Sequence, residues 1–341
     1  MSGEVRCEGR VEKKHSAFGL ITYDKGSKPM NNVQDHTACT RFPNRVLTDE
    51  HQEANAACRI LHQVPDPFEI VPDAIPNGGR IIAICDVETT GLDIHHDQII
   101  ELAIMLVIVD AEGSIVGVMP PRSWLEDPGA PLDPRIIEIT GITDADVARQ
   151  QIDERQALAM FARASLVLAH NAKFDVGFIE RRLPAAAGKD WACSCSEIDW
   201  PMLGFDTRVQ GYLLMQSGWF NTAHRAAADV WSLYWLLQQQ HGERTLLQRL
   251  LLASDQPTMR IDARYAPYRL KDDLKLRGYR WDSDSKVWWI EIAEGACETE
   301  VAWLYQLGVQ SPLLTPITAR ERHRPLKVAA TIMEEPDGPA F

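Results

Sequence analysis

The chain has 341 residues, 45% of them hydrophobic, and a formal net charge of -13. That is ample for one or two folded domains. It excludes a protein coated in basic charge, so any nucleic-acid contact needs a local positive surface. The first twenty residues mix charges throughout and lack the apolar core of a secretory signal. The longest apolar runs, such as LAIMLVIV at 102–109, are strand-length and too short to span a bilayer, so no membrane association is expected. Seven scattered cysteines suit a reducing, cytoplasmic compartment better than a disulfide framework. The isolated Cys193-x-Cys195 has no second cluster with which to hold zinc.

In chain order, residues 1–78 are an extension of unassigned role. They contain one helical pattern, DEHQEANAACRILHQ at 49–63, and a Pro- and Gly-rich linker ending at Gly78-Gly79. From 79 to 242 the pattern becomes layered. RIIAICDVE (80–88) reads as a buried strand, and DQIIELAIMLVIVD (97–110) and GSIVGVMP (113–120) as the next two. Asp133-Pro134 opens a short helix, PRIIEIT, which Gly141 ends. DERQALAMFARA (153–164) is an amphipathic helix and SLVLAH (165–170) a strand. Asn171 stands where it can cap the following helix, AKFDVGFIERRL. HRAAADVWSLYWLLQQQ (224–240) is the last strong helix. Three strands followed by alternating helix and strand predict an α/β layered domain. Residues 257–312 predict a small α+β domain with a helix near 298–307, and 313–341 predict a flexible tail, basic first and then acidic and Pro-rich.

Residues two apart in a strand share a face, so Asp86 and Glu88 project together from the end of the first strand. Two unit charges 4 Å apart repel by roughly 4 kcal/mol at an effective dielectric near 20, so such a pair raises a pKa or binds a cation. Asp175 lies early in the helix after the SLVLAH strand, and Asp229 lies in the last helix, five residues after His224. Hard oxygen ligands gathered at strand ends and helix faces are what Mg²⁺ or Mn²⁺ takes, and a pair of such ions is a recurring phosphodiester-cleaving device. Five residues along an ideal helix rotate a side chain by roughly 140°. His224 and Asp229 cannot both point inward from one straight helix, so His224 is expected on the loop or first turn leading into it.

DVETTG (86–91), HNAKFD (170–175) and HRAAAD (224–229), in that order, resemble the three motifs of the DEDDh 3′–5′ exonucleases, a family that includes the proofreading epsilon subunit of bacterial DNA polymerase III. The resemblance covers about 80–240 and implies a ribonuclease-H-like fold. It implies that Asp86, Glu88, Asp175 and Asp229 bind two divalent metal ions, Mg²⁺ or Mn²⁺, and that His224 is the general base. Thr89, Thr90 and Leu92 would frame the terminal nucleotide, and Asn171 and Phe174 would touch the substrate strand. Arg225, where a sibling subfamily carries Tyr, indicates the His version. The implied activity releases nucleoside 5′-monophosphates from single-stranded or frayed DNA 3′ ends, in proofreading or repair, with a DNA polymerase or other replication proteins as further partners. The alternatives are an RNA-trimming exonuclease of the same fold, which the motifs do not separate, and a non-catalytic nucleic-acid-binding or polymerase-tethering protein.

Residues 260–290 carry eight Lys or Arg against five Asp, interleaved with Tyr265, Tyr268, Tyr279, Trp281, Trp288 and Trp289. Basic groups for phosphates and rings for bases make a nucleic-acid grip, here expected around Arg277, Arg280 and Lys286. RGYRWDSDSKVWW also resembles a short Gly-x-Arg-Trp-Asp…Lys-x-Trp module found beside nucleic-acid enzymes. One of the adjacent Trp288 and Trp289 should face the core of this small domain.

Overall fold

The computed structural model describes residues 59–221 and 224–324, and all the elements below lie in the unit Val64–Phe341. Residues 1–58, with most of the helix expected over 49–63, and residues 325–341 fall outside the described residues.

Strands β1 (Arg80–Thr89), β2 (Ile99–Val109) and β3 (Ile115–Leu125) form an antiparallel meander. Helices α1 (Pro134–Thr140) and α2 (Glu154–Arg163) follow. Asp133 caps α1 through the Arg135 N–H, and Gly141 ends it in the left-handed region at φ 68°. Strand β4 (Leu166–Ala169), helix α3 (Ala172–Arg182) and the short strand β5 (Trp191–Cys193) come next, with β4 parallel to β1 and β5 parallel to β4. The sheet order is β3-β2-β1-β4-β5, the ribonuclease-H-like arrangement. The sequence pattern shows no sign of β5, whose three residues are too few to carry a period.

Every residue of β2 is buried, because helices cover both faces of the sheet. Ile82 and Ile84 of β1 pack with α4 (Ala226–Leu237) and α5 (Leu246–Asp255). Ala83, Cys85 and Val87 pack with α2 and α3 on the other face. The alternation therefore aims Asp86 and Glu88 toward α4, the helix that carries Asp229. The stretch expected as a linker packs on α4 as well: the Trp231 indole N–H donates to the Pro65 carbonyl at 2.7 Å, and Phe68 meets the Trp231 ring edge-on at 5.2 Å.

The C-terminal domain is a four-stranded antiparallel sheet, β7-β8-β6-β9, built from β6 (Thr258–Ala263), β7 (Arg280–Asp282), β8 (Val287–Ala293) and β9 (Leu313–Ile317). Helices α6 (Lys271–Arg277) and α7 (Cys297–Gln306) cover one face over a core of Ile261, Leu274, Tyr279 and Leu304. Trp288 packs against that core. Trp289 points to the opposite face, under Arg260 at 4.5 Å.

The stretch expected as a flexible tail begins with ordered structure, because β9 completes this sheet and residues 318–324 return to the first domain. The Trp191 N–H donates to the Ala319 carbonyl at 2.9 Å. Arg322 bridges Glu197 at 2.8 Å and Glu291 at 3.2 Å, and His323 meets Glu197 at 2.8 Å. Arg324 pairs with Glu180 at 2.5 Å. Arg322 and Glu197 are buried, at 6% and 7% side-chain exposure, so their charges are compensated by each other rather than by water. Among the described residues no helix is long and apolar enough to cross a membrane.

Candidate active site

The site lies at the C-terminal end of β1, where antiparallel β2 flanks it on one side and parallel β4 on the other. A β-bulge breaks the β1–β2 register between Glu88 and Thr89, which re-aims the chain just past the two carboxylates. Asp86, Glu88 and Asp229 each offer a carboxylate oxygen to a group whose members lie within 4.8 Å of one another. Asp175, one turn into α3, is buried at 1% exposure, and its Oδ1 has no hydrogen-bond partner.

All four acids hold protons more tightly than free carboxylates do. Burial is the main cause for Asp86, with the charges of Asp175, Asp229 and Glu88 adding to it. Burial and then Asp229 push Glu88 up to about 7. Burial also raises Asp175, against the opposing pull of backbone N–H donors, and it raises Asp229. Converging carboxylates with a buried oxygen left unpartnered are the donor set a hard divalent cation requires. The residues present fit such an ion.

His224 lies before α4, which begins at Ala226, as the rotation argument required. It is exposed, and its backbone has φ 68°, a left-handed conformation uncommon outside glycine. The His224 N–H donates to Asp229 Oδ2 at 3.0 Å, so the backbone of one motif residue orients the carboxylate of another.

Glu101 was not legible as part of this site. It stands opposite Glu88 in the β1–β2 register and is 1% exposed. Arg225 binds it through Nε at 2.9 Å and Nη2 at 3.1 Å, and the Ala226 N–H at the start of α4 donates to it at 3.1 Å. The signal was available: a glutamate inside the otherwise apolar run IIELAIMLVIV must find a counter-charge. Arg225 is thus the anchor that ties the entrance of α4 to the sheet.

The expected substrate-contacting residues surround this end of β1. Thr89 is nearly buried, and its hydroxyl donates to the Gly91 carbonyl at 2.5 Å. The Thr90 hydroxyl donates to Asp97 at 3.0 Å, and Asp97 also accepts from the Asp93 N–H at 2.8 Å. Leu92 is 86% exposed, an apolar side chain held in water beside a polar site. Phe174 leans on Phe178, with ring centroids 4.8 Å apart. Asn171 stands at the N-cap position of α3 but makes no cap hydrogen bond from its side chain, because its backbone is left-handed at φ 72°. The capping role expected of it is corrected.

The three charges expected as a grip in the C-terminal domain lie at separate places. Arg277 is held by Glu300 at 3.0 Å and lies over Trp303. Arg280 projects with Trp289 from the sheet face away from the helices, whereas Lys286 stands exposed in the β7–β8 turn. The three do not form one surface.

Residues 83–234 match the family model described as Exonuclease. The segment is an exonuclease-family domain. Curated relatives include DNA polymerase III PolC-type from Halalkalibacterium halodurans, 40% identical over 159 residues, which cover 43% of this chain and 10% of the relative. The namesake from Streptococcus thermophilus is 38% identical over 158 residues, again 43% and 10%. The chain thus spans only about a tenth of the length of these relatives. Similar solved structures include an exonuclease X in complex with 5′ overhanging duplex DNA, at 24% identity and TM-score 0.37, covering 50% of this chain and 99% of that one. Another is E. coli exonuclease I in complex with a dT13 oligonucleotide, at 17% identity and TM-score 0.39, covering 53% and 48%. The exonuclease domain accounts for all four acids and His224, and the C-terminal domain lies beyond the matched residues.

Proposed function

We propose that the exonuclease domain is a divalent-metal-dependent 3′–5′ exonuclease that hydrolyses the terminal phosphodiester of single-stranded or frayed DNA and releases nucleoside 5′-monophosphates. The convergence of Asp86, Glu88 and Asp229 within 4.8 Å, beside the unpartnered Asp175 oxygen, carries this reading. Together these carboxylates would hold two divalent cations, Mg²⁺ or Mn²⁺. The ions supply a lowered pKa for water and compensation for negative charge on the phosphate.

The chain's own residues do the rest. His224, exposed and ahead of the helix, takes the proton from the attacking water, a contribution typically worth about 10²–10⁴ in rate. The bulge at Glu88 and Thr89 turns the backbone of Thr89 and Thr90 toward the last nucleotide. Leu92 packs on its base, because an apolar side chain 86% exposed loses water on stacking. Asn171 and Phe174 line the path of the strand. A role in proofreading or repair, with a DNA polymerase or other replication proteins as partners in the cytoplasm, fits the PolC-type relatives.

The test is the purified chain on end-labelled single-stranded DNA, duplex DNA, RNA and a single-stranded circle, with Mg²⁺, Mn²⁺ or EDTA. The expected result is stepwise shortening from the 3′ end of linear DNA that needs metal, is blocked by a 3′-phosphate and is lost in Asp86→Ala, Glu88→Ala. Cutting of the circle, or undiminished activity in EDTA, overturns the reading. Preference for RNA reassigns the substrate but keeps the chemistry.

A further inference from the structure

We propose that a strip of alternating aromatic rings and lysines on the C-terminal domain binds single-stranded nucleic acid, on a surface separate from the carboxylate site. The strip begins at Tyr268, 79% exposed, whose ring lies 4.6 Å from the Lys271 ammonium. Lys271 and Lys275 are one turn apart on α6 and share a side of the helix. The Lys275 ammonium lies 5.9 Å from the Trp288 ring, and Trp288 meets Trp281 across the β7–β8 pair with centroids 5.4 Å apart. Trp281 is 51% exposed. Ring, lysine, lysine, ring, ring therefore run without interruption from the start of α6 to the edge strand β7.

Two features select the occupant. Two of the three rings are not spare core: Tyr268 and Trp281 keep much of their area in water, while Trp288 also packs against the core of Ile261, Leu274, Tyr279 and Leu304. The lysines face rings rather than carboxylates, unlike Arg260 and Arg277, which Asp262 and Glu300 neutralise. Asp273 leaves α6 roughly 200° around from Lys271; Asp272, next to Lys271, does act on its charge, but among the described residues it closes no ion pair with either lysine. Ammonium groups for phosphates between open ring faces for bases match a single strand, whose bases are unpaired. They match a duplex poorly, because its ring faces are already stacked. In a chain of net charge -13, such a strip offsets the general repulsion of a polyanion.

The choice of ligand rests on the nuclease reading, but the test is separable from it. Binding of a fluorescent dT30 oligonucleotide to the full chain is read by anisotropy in EDTA across a salt series. Lys271→Ala, Lys275→Ala should weaken binding at least tenfold at low salt. It should also reduce the slope of log affinity against log salt by about 1.4, at roughly 0.7 for each phosphate no longer neutralised. Tyr268→Ala and Trp281→Ala should weaken binding about fivefold or more, with the slope unchanged. Thermal melting checks that each variant is folded. Folded variants that bind like the parent overturn the proposal. A loss confined to the lysine variants, or an equal loss on a 30-base-pair duplex, also overturns it, since neither is base stacking. Failure of these variants to change binding leaves the metal-dependent cleavage test untouched, and absence of cleavage leaves this one untouched.

Discussion

At the scale of single residues, the site is an arrangement of charge compensation. Glu101 already has its counter-charge in Arg225, so the remaining acids are the ones left for a cation. That division predicts a specific non-additivity. Arg225→Ala leaves Glu101 buried without its guanidinium partner and should cost about 1–3 kcal/mol of stability; the arginine side chain is 47% exposed, which holds the value below that of a fully buried pair. Glu101→Gln, Arg225→Ala together should cost less than the sum of the two single changes, measured as a double-mutant cycle of urea unfolding. Strict additivity would mean that the pair does not tie α4 to the sheet. His224 yields a second prediction. If it is the base, His224→Ala should lower kcat by about 10²–10⁴ with substrate affinity nearly intact. An equal fall in substrate affinity would make His224 a positioning residue.

At the scale of elements, the end of β1 carries a stored electrostatic cost. Folding raises the proton affinity of Asp86, Glu88, Asp175 and Asp229 above that of free carboxylates. The folded state therefore binds more protons than the unfolded one between the ordinary carboxylate range and the raised values, about 7 for Glu88. Stability from these groups is fully present below that window and is lost as pH rises through it. The melting temperature of the metal-free chain should fall between pH 5 and pH 8, and added Mg²⁺ or Mn²⁺ should raise it most at the upper end. A metal-free melting temperature that rises across this window would show that the acids are not a strained cluster. The same elements show what a sequence can convey. The Ile-rich run ending in Asp-x-Glu made β1 and its paired carboxylates legible, because strand alternation is local. The placement of His224 off the helix followed from helical rotation alone. The Glu101–Arg225 pair joins residues 124 positions apart, and no local pattern reports that distance. Arg277 read as a surface charge for the same reason: Glu300, which holds it, lies in a different helix.

At the scale of the whole molecule, a buried ionic cluster ties the two domains together at Glu197. Glu197 accepts from Arg322, His323 and the Cys193 N–H, and Arg322 also reaches Glu291 of β8. Removing one partner of a buried pair typically costs about 3–5 kcal/mol, so Arg322→Ala should destabilise the chain on the order of 3 kcal/mol, and Glu197→Gln in that background should recover part of it. Chemical denaturation measures both, and an Arg322→Ala chain as stable as the parent would mean that the strap formed by residues 318–324 does not support the seam between the domains. A truncation near residue 255 is therefore a poor probe of nucleic-acid binding, because it also strips compensation from Glu180 and Glu197. The full-length variants of the aromatic–lysine strip avoid that fault.

The strap has a consequence for the order in which the protein matures on the ribosome. The five-stranded sheet is complete once Cys193 has emerged and its covering helices once Asp255 has emerged, yet the arginine partners of Glu180, Asp190 and Glu197 arrive only with residues 320–324. The exonuclease domain is topologically finished while the chain is still growing, and it should gain resistance to unfolding as residues 320–324 leave the exit tunnel. Nascent chains arrested before and after that point should differ little in the protease fragments that define the sheet. They should differ clearly in the rate at which those fragments are degraded.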